Sequence, residues 1–284
     1  MRALTVLVLF AAVISAHAAP WIACRVSGAS IYVHAGEGDL ARQVGEIVAT
    51  ELPRIRHAIG LSASHAFPIY VYRDSNEFHR NTQTSSVVRG LTLCPPGKVS
   101  VDAGEAGVEL CHTVTHEMTH ALLFQRLGRH YFHDLPTWAN EGMAEYLSSR
   151  EPFPFLAWID VPFVQYGNVP MKQLSGEFHN INALRCQAAY AQSRAMIAWL
   201  EHRHPGTLRN ALSGVAHGHP FNREITRACG MTMNDWYHGW YADMQQAKRR
   251  GAWVAGILVG LALLASLLGR RKRQFGVRLE PTSV

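Results

Sequence analysis

Residues 111–125 read CHTVTHEMTHALLFQ and set histidines at 112, 116 and 120, each one helical turn after the last. On the helix that the pattern predicts over 108–127, His116 and His120 stand about 40° apart around the axis and about 6 Å along it, so both imidazoles reach one ion. Glu117 follows the first of them directly. That puts its carboxylate beside the ion and not on it, where it can take a proton from a metal-bound water. The overlapping pair, His112 with His116, has Thr113 in that place. His112 therefore reads as a partner for a nearby carboxylate, or as a surface residue, and not as a ligand.

Two histidines do not make a catalytic site, and the third ligand is sought downstream. Residues 136–146, PTWANEGMAEY, predict a helix from about Thr137 that offers Glu141 and Glu145 one turn apart. Glu141 can complete a set of two histidines and one glutamate, which leaves one position of a tetrahedral zinc open for water. Glu145, on the same face, is placed to accept the free N–H of a ligating histidine and fix its orientation.

HEMTH followed by NEGMAEY resembles the gluzincin metallopeptidases, and the order of strands, hairpin, motif helix and glutamate helix is similar to the peptidase MA-like family. The stretches AAYAQSRAMIAWLEHRHPG and ACGMTMNDWYHGWYADM resemble that family's C-terminal helices, so the likeness covers roughly Val26 to Met244. The resemblance implies zinc at His116, His120 and Glu141, with Glu117 as general base. It also implies that Tyr190 can donate a hydrogen bond to an oxyanion, although a tyrosine on a half-buried helix serves equally well as a core residue. An edge strand near Lys98 to Asp102 would, on the same resemblance, align an extended peptide by strand addition.

Outward from the motif, the first half of the body alternates strands with one long helix. IYV after Ser30 and PIYVYR at 68–73 read as strands, Asp39 to Ile59 as an amphipathic helix, and VVRGLTLCPPGKVSVD as two short strands joined by a turn. Beyond Gly107 the pattern is helical: Val108 to Leu127, Thr137 to Ser148, Cys186 to His202, Thr207 to Leu212 and Asn234 to Met244. Residues 151–174, rich in proline and aromatics, read as an ordered loop. The expected fold class is α+β: a zincin-like domain over 19–246, a small mixed sheet followed by helices, closed by a C-terminal transmembrane helix.

The chain ends predict where the body sits. Residues 1–18 read as a cleaved signal peptide, with Arg2, a short apolar run and the small-x-small triplet Ala16, His17, Ala18. The uncharged run from Gly251 to Gly269 would reach about 28 Å as a helix, close to the hydrocarbon thickness of a bilayer. The basic residues 270–284 would form a cytoplasmic tail, with the body in the periplasm or outside the cell. The formal net charge of +6 belongs to this end, since eight Lys or Arg against Glu280 follow Ala247 and the preceding residues sum to −1. The basic balance thus gives no support to nucleic-acid binding. Five cysteines (24, 94, 111, 186, 229) in an exported chain predict disulfides, with Cys94–Cys111 and Cys186–Cys229 as the pairs.

The sequence alone points to a membrane-anchored zinc metallopeptidase acting on a protein or peptide. Two other readings stay open: an inactive gluzincin-like binding module in a membrane complex, and a zinc hydrolase of a non-peptide amide such as a cell-wall fragment. An intact Glu117 argues against the first. No residue separates the second from peptide cleavage.

Overall fold

A hairpin starts the sheet: β1 (Trp21–Val26) and β2 (Ala29–His34) are joined through Ser27 and Gly28, both at positive φ, the two-residue turn whose twist suits paired strands. The computed structural model describes residues 20–104, 108–149, 168–176, 178, 183–249 and Leu261. Helix α1 (Gly38–Ile59) then carries the chain to β3 (Phe67–Tyr72), which pairs parallel with β2. Leu40, Val44, Val48, Leu52, Ile55 and Ile59 recur every three or four residues along α1 and form one buried stripe. A short helix, α2 (Ser75–Thr82), is capped by Asp74, whose carboxylate accepts from Asn76 N–H at 2.8 Å. Strands β4 (Gly90–Leu93) and β5 (Lys98–Asp102) complete five strands in the order β1-β2-β3-β5-β4, with β2, β3 and β5 parallel and both outer strands antiparallel.

One face of this sheet is apolar across its central strands, where Ile31, Val33, Ile69, Val71, Val99 and Val101 are buried in the core, and on the outer strand β4 Gly90 and Thr92 share that face opposite Val101 and Val99. Helix α3 (Val108–Leu127), which carries the histidines, buries Leu110, Val114, Met118, Ala121 and Leu122 in that same core. After the single turn α4 (His130–His133) comes α5 (Thr137–Ser148), followed by α6 (Met171–Leu174), α7 (Ala183–Arg203), α8 (Thr207–Ala216), α9 (Phe221–Cys229) and α10 (233–249). Helices α5 and α7 cross closely because Gly142 has no side chain, and a Cβ there would lie 2.6 Å from Ser193 O. Trp138, packed 5.6 Å from Trp236 and 5.7 Å from Phe221, ties the late helices to α5.

Several expectations are corrected. The fold is mixed α/β with a small sheet and helices, and among the described residues no helix is long and apolar enough to cross a membrane. The two longest, α1 and α7, carry Arg42, Glu46, Glu51 and Arg54, and Arg185, Arg194 and Glu201, charges that disfavour hydrocarbon by about 2.5–3.5 kcal/mol each at a helix centre. The signal peptide, most of the proline-rich loop, the apolar run to Gly269 apart from Leu261, and the tail lie outside the described residues.

The free edge beside α3 is β4 and not the Lys98 to Asp102 strand, which pairs on both sides. Since Asp102 N–H donates to Arg89 O, the alternation of an antiparallel ladder turns the N–H and C=O of Gly90 and Thr92 away from β5, toward the open side.

All five cysteines are free thiols. The turn after Cys94 is level with Ala121, since a Cβ added at Gly97 would lie 4.0 Å from it, whereas Cys111 lies ten residues back along α3, about 15 Å from Ala121. Cys186 is in the first turn of α7 near Glu141, while Cys229 bonds Thr207 beyond that helix's far end. From Cys186 to the far end of α7 is about 25 Å along the helix, beyond the reach of a disulfide, roughly 7 Å between Cα atoms.

Candidate metal centre

Three donor atoms from two helices converge. His116 Nε2 and His120 Nε2, from α3, are 3.1 Å apart, and each lies 3.4 Å from Glu141 Oε2 on α5. A tetrahedral zinc with bonds of about 2.0–2.2 Å holds its donors about 3.3–3.5 Å from one another, so the triangle has the size of one face of that tetrahedron.

The outer nitrogens decide which atoms carry lone pairs. His120 Nδ1 lies 3.0 Å from Asn140 Oδ1, an oxygen that can only accept, so Nδ1 holds the proton and Nε2 is left as a donor to metal. Asn140 Nδ2 in turn donates to the Tyr131 hydroxyl at 3.0 Å. His116 Nδ1 stands 3.1 Å from Glu145 Oε1, paired by charge but obliquely, so that it counts among the buried polar atoms without an aligned hydrogen bond. Two imidazole lone pairs 3.1 Å apart repel each other unless a proton or a cation lies between them. The donor set therefore fits a divalent ion.

The charges agree with that reading. Burial works to lower the pKa of His116, yet Glu141 and Glu145 outweigh it and raise the value well above that of a free histidine. His120 is likewise raised, burial being outweighed chiefly by Glu141. Burial would push the Glu141 and Glu145 carboxyls up, but the adjoining imidazoles hold both far below the usual carboxylate range. In the absence of metal the centre attracts protons to the place where a cation would sit, and metal binding would release them.

Glu117 points from α3 toward β4. Thr92 Oγ1 lies 2.7 Å from Glu117 Oε2 and 2.9 Å from its backbone oxygen; its single proton favours the charged acceptor. Gly90 leaves room for this side chain, since a Cβ there would lie 2.6 Å from Glu117 Cγ and Oε1. Tyr190, on α7, has its ring 6.4 Å from that of His116 and edge-on to Phe178. Burial, with the Glu141 charge adding to it, pushes its hydroxyl well above the ordinary tyrosine value, so it keeps its proton at neutral pH.

The structure thus brings His116, His120, Glu141, Glu117, Glu145 and Tyr190 to one place, with His112 3.3 Å from Glu145 as the expected carboxylate partner. It adds four residues that sequence reasoning missed: Asn140, Tyr131, Thr92 and Gly90. Asn140 could have been found, because it stands beside Glu141 in the same motif. Thr92 and Gly90 are brought in by the sheet and leave no local signal.

No protein-family model matches this sequence, and comparison with curated proteins also finds no match. The functional reading rests on the geometry of these two helices and the strand beside them.

Proposed function

We propose that the protein is a zinc metallopeptidase, with His116, His120 and Glu141 holding the ion and Glu117 acting as general base. The observation that carries this reading is the convergence of two imidazole lone pairs and one carboxylate oxygen at the spacing of a tetrahedral ion, with a non-ligating carboxylate beside them. Held by His116, His120 and Glu141, a zinc ion would supply a Lewis acid for the substrate carbonyl and would acidify water to a pKa of about 7.

The remaining work falls to the chain's own residues. Glu117 takes the proton of the attacking water and passes it to the leaving amine, held for that purpose by the Thr92 hydroxyl. Tyr190, protonated and facing the glutamates, is the candidate donor to the oxyanion. Along the open side of β4, the N–H and C=O groups of Gly90 and Thr92 offer an extended peptide a strand to pair with. Glu145 and Asn140 hold the two imidazoles with Nε2 inward.

The test is zinc content measured beside peptide turnover. Replacing His116, His120 or Glu141 by Ala strips the tightly bound zinc, because a catalytic site of this type uses three protein ligands. Glu117→Gln keeps zinc while turnover falls by about 10² to 10⁴. Full turnover in Glu117→Gln, or retained zinc in His120→Ala, refutes the assignment.

A further inference from the structure

We infer that the same pair of helices carries a second, weaker divalent-metal site on His112 and Glu145, and that zinc seated there inhibits the first. The binding stands on its own geometry, whereas the inhibition rests on the metallopeptidase reading.

His112 stands one turn before His116 on α3, and donor atoms of His112, His116 and Glu145 all lie within 4.8 Å of one another. His112 Nε2 is 3.3 Å from Glu145 Oε2, again the spacing of two donors on one tetrahedral ion. The Glu145 carboxylate is divided between its neighbours: Oε1 faces His116 and Oε2 faces His112. One oxygen can therefore take an ion without first leaving the primary site.

His116 does not serve both ions, since its Nδ1 carries the proton directed at Glu145 while Nε2 faces Glu141. The second site thus has two protein ligands and fills the rest of its shell with water. The His112 side chain is 40% exposed, which leaves room for that water and for entry of a hydrated ion. With one ligand fewer, the site binds more weakly than the first. A double positive charge on Oε2 withdraws negative charge from Oε1 and weakens its hold on the His116 imidazole, and weakening such an orienting partner typically lowers metal affinity or activity by about 10-fold to 100-fold.

A rival account makes His112 only a hydrogen-bond partner of Glu145, and two variants separate the accounts. His112→Ala removes both roles. His112→Gln keeps a donor for Glu145 but offers no imidazole. The full chain is stripped with chelator, titrated with zinc chloride by calorimetry, and its zinc counted per chain. The wild type is expected to hold one zinc more than either variant, as a separate weaker phase. The other histidines and the five thiols are common to all three proteins and cancel in this difference.

Turnover is then scored for each protein against its own value at one equivalent of zinc. The wild type is expected to lose at least half as the second phase fills, and His112→Gln to keep its rate. Equal zinc content in wild type and His112→Gln overturns the site. An extra zinc without loss of turnover overturns the inhibition. An extra zinc in a protein that cleaves no peptide even at one equivalent overturns the peptidase reading and leaves the second site standing.

Discussion

Gly90→Ala tests whether the fit between β4 and the general base matters to the chemistry. The added Cβ would lie 2.6 Å from Glu117 Cγ and Oε1 and 2.9 Å from Cδ, whereas carbon atoms in contact sit about 3.5–4.0 Å apart. The Glu117 stem must therefore retreat by roughly an ångström. Rotating the carboxylate alone does not relieve the clash, because Cγ is itself one of the atoms met. A displacement of that size at a reacting group costs on the order of 10²-fold in rate. Little else should change: Gly90 lies outside the left-handed region, so alanine is allowed on the backbone, and the three atoms nearest its added Cβ all belong to Glu117. A glycine in a strand is otherwise the weaker choice by about 0.5–1 kcal/mol, so the melting temperature should hold or rise. The assay is kcat and KM on a peptide substrate, with zinc content and thermal unfolding alongside. A fall of about 10² in kcat with zinc and stability retained is expected. Wild-type kcat refutes the reasoning, and loss of zinc together with activity would show that Gly90 supports the metal and not the base.

Thr92→Val removes the hydroxyl at 2.7 Å from Glu117 while keeping the shape, and should lower kcat by about tenfold, equivalent to about 1.4 kcal/mol, with zinc content unchanged and Thr92→Ser restoring the rate. Gly142→Ala places a Cβ 2.6 Å from the Ser193 carbonyl, a backbone atom that cannot swing aside, and should destabilise by about 1–3 kcal/mol, visible as a fall in melting temperature of at least a few degrees. The metal-free protein should lose stability as pH rises. His116 and His120 have folded values raised above 6.5, so their contribution is full below that pH and fades as pH climbs through the raised values; the lowered Glu141 contribution is lost only on acidification, well below 4.5. Melting temperatures from pH 6 to 9 with chelator, against the same series with zinc, check this. Parallel curves would refute it.

The candidate ligand pattern could be placed from sequence because its spacing is local. Two histidines four apart, or two glutamates four apart, share a face on any α-helix, and α3 and α5 keep the limits that their patterns predict. Elements that break the hydrophobic period were missed. β1 is an outer strand with Ile22, Ala23 and Arg25 exposed; α2 buries only Phe78; and α9 buries Glu224 beside Phe221 and Ile225, a charge where the pattern wants an apolar residue. His219 at 3.0 Å and Arg227 at 2.7 Å hold that carboxylate, a pairing no periodicity reveals. The cysteine count misled for a related reason, since it carries no information on where along a helix each thiol falls.

The environment of the base was illegible on other grounds, and it bears on what the protein does. Which strand forms the edge depends on the order of the sheet, and only that order brings residues 90 and 92 against the side chain of residue 117. A shell that merely bound an ion or a partner would need His116, His120 and Glu141 with their supports. It would have no use for a glycine that clears space for Glu117, nor for a hydroxyl aimed at the carboxylate of a residue that ligates nothing. The fit of Gly90 and Thr92 to Glu117 is what a positioned base requires, and it favours a hydrolase over a binding module on grounds independent of the metal ligands themselves.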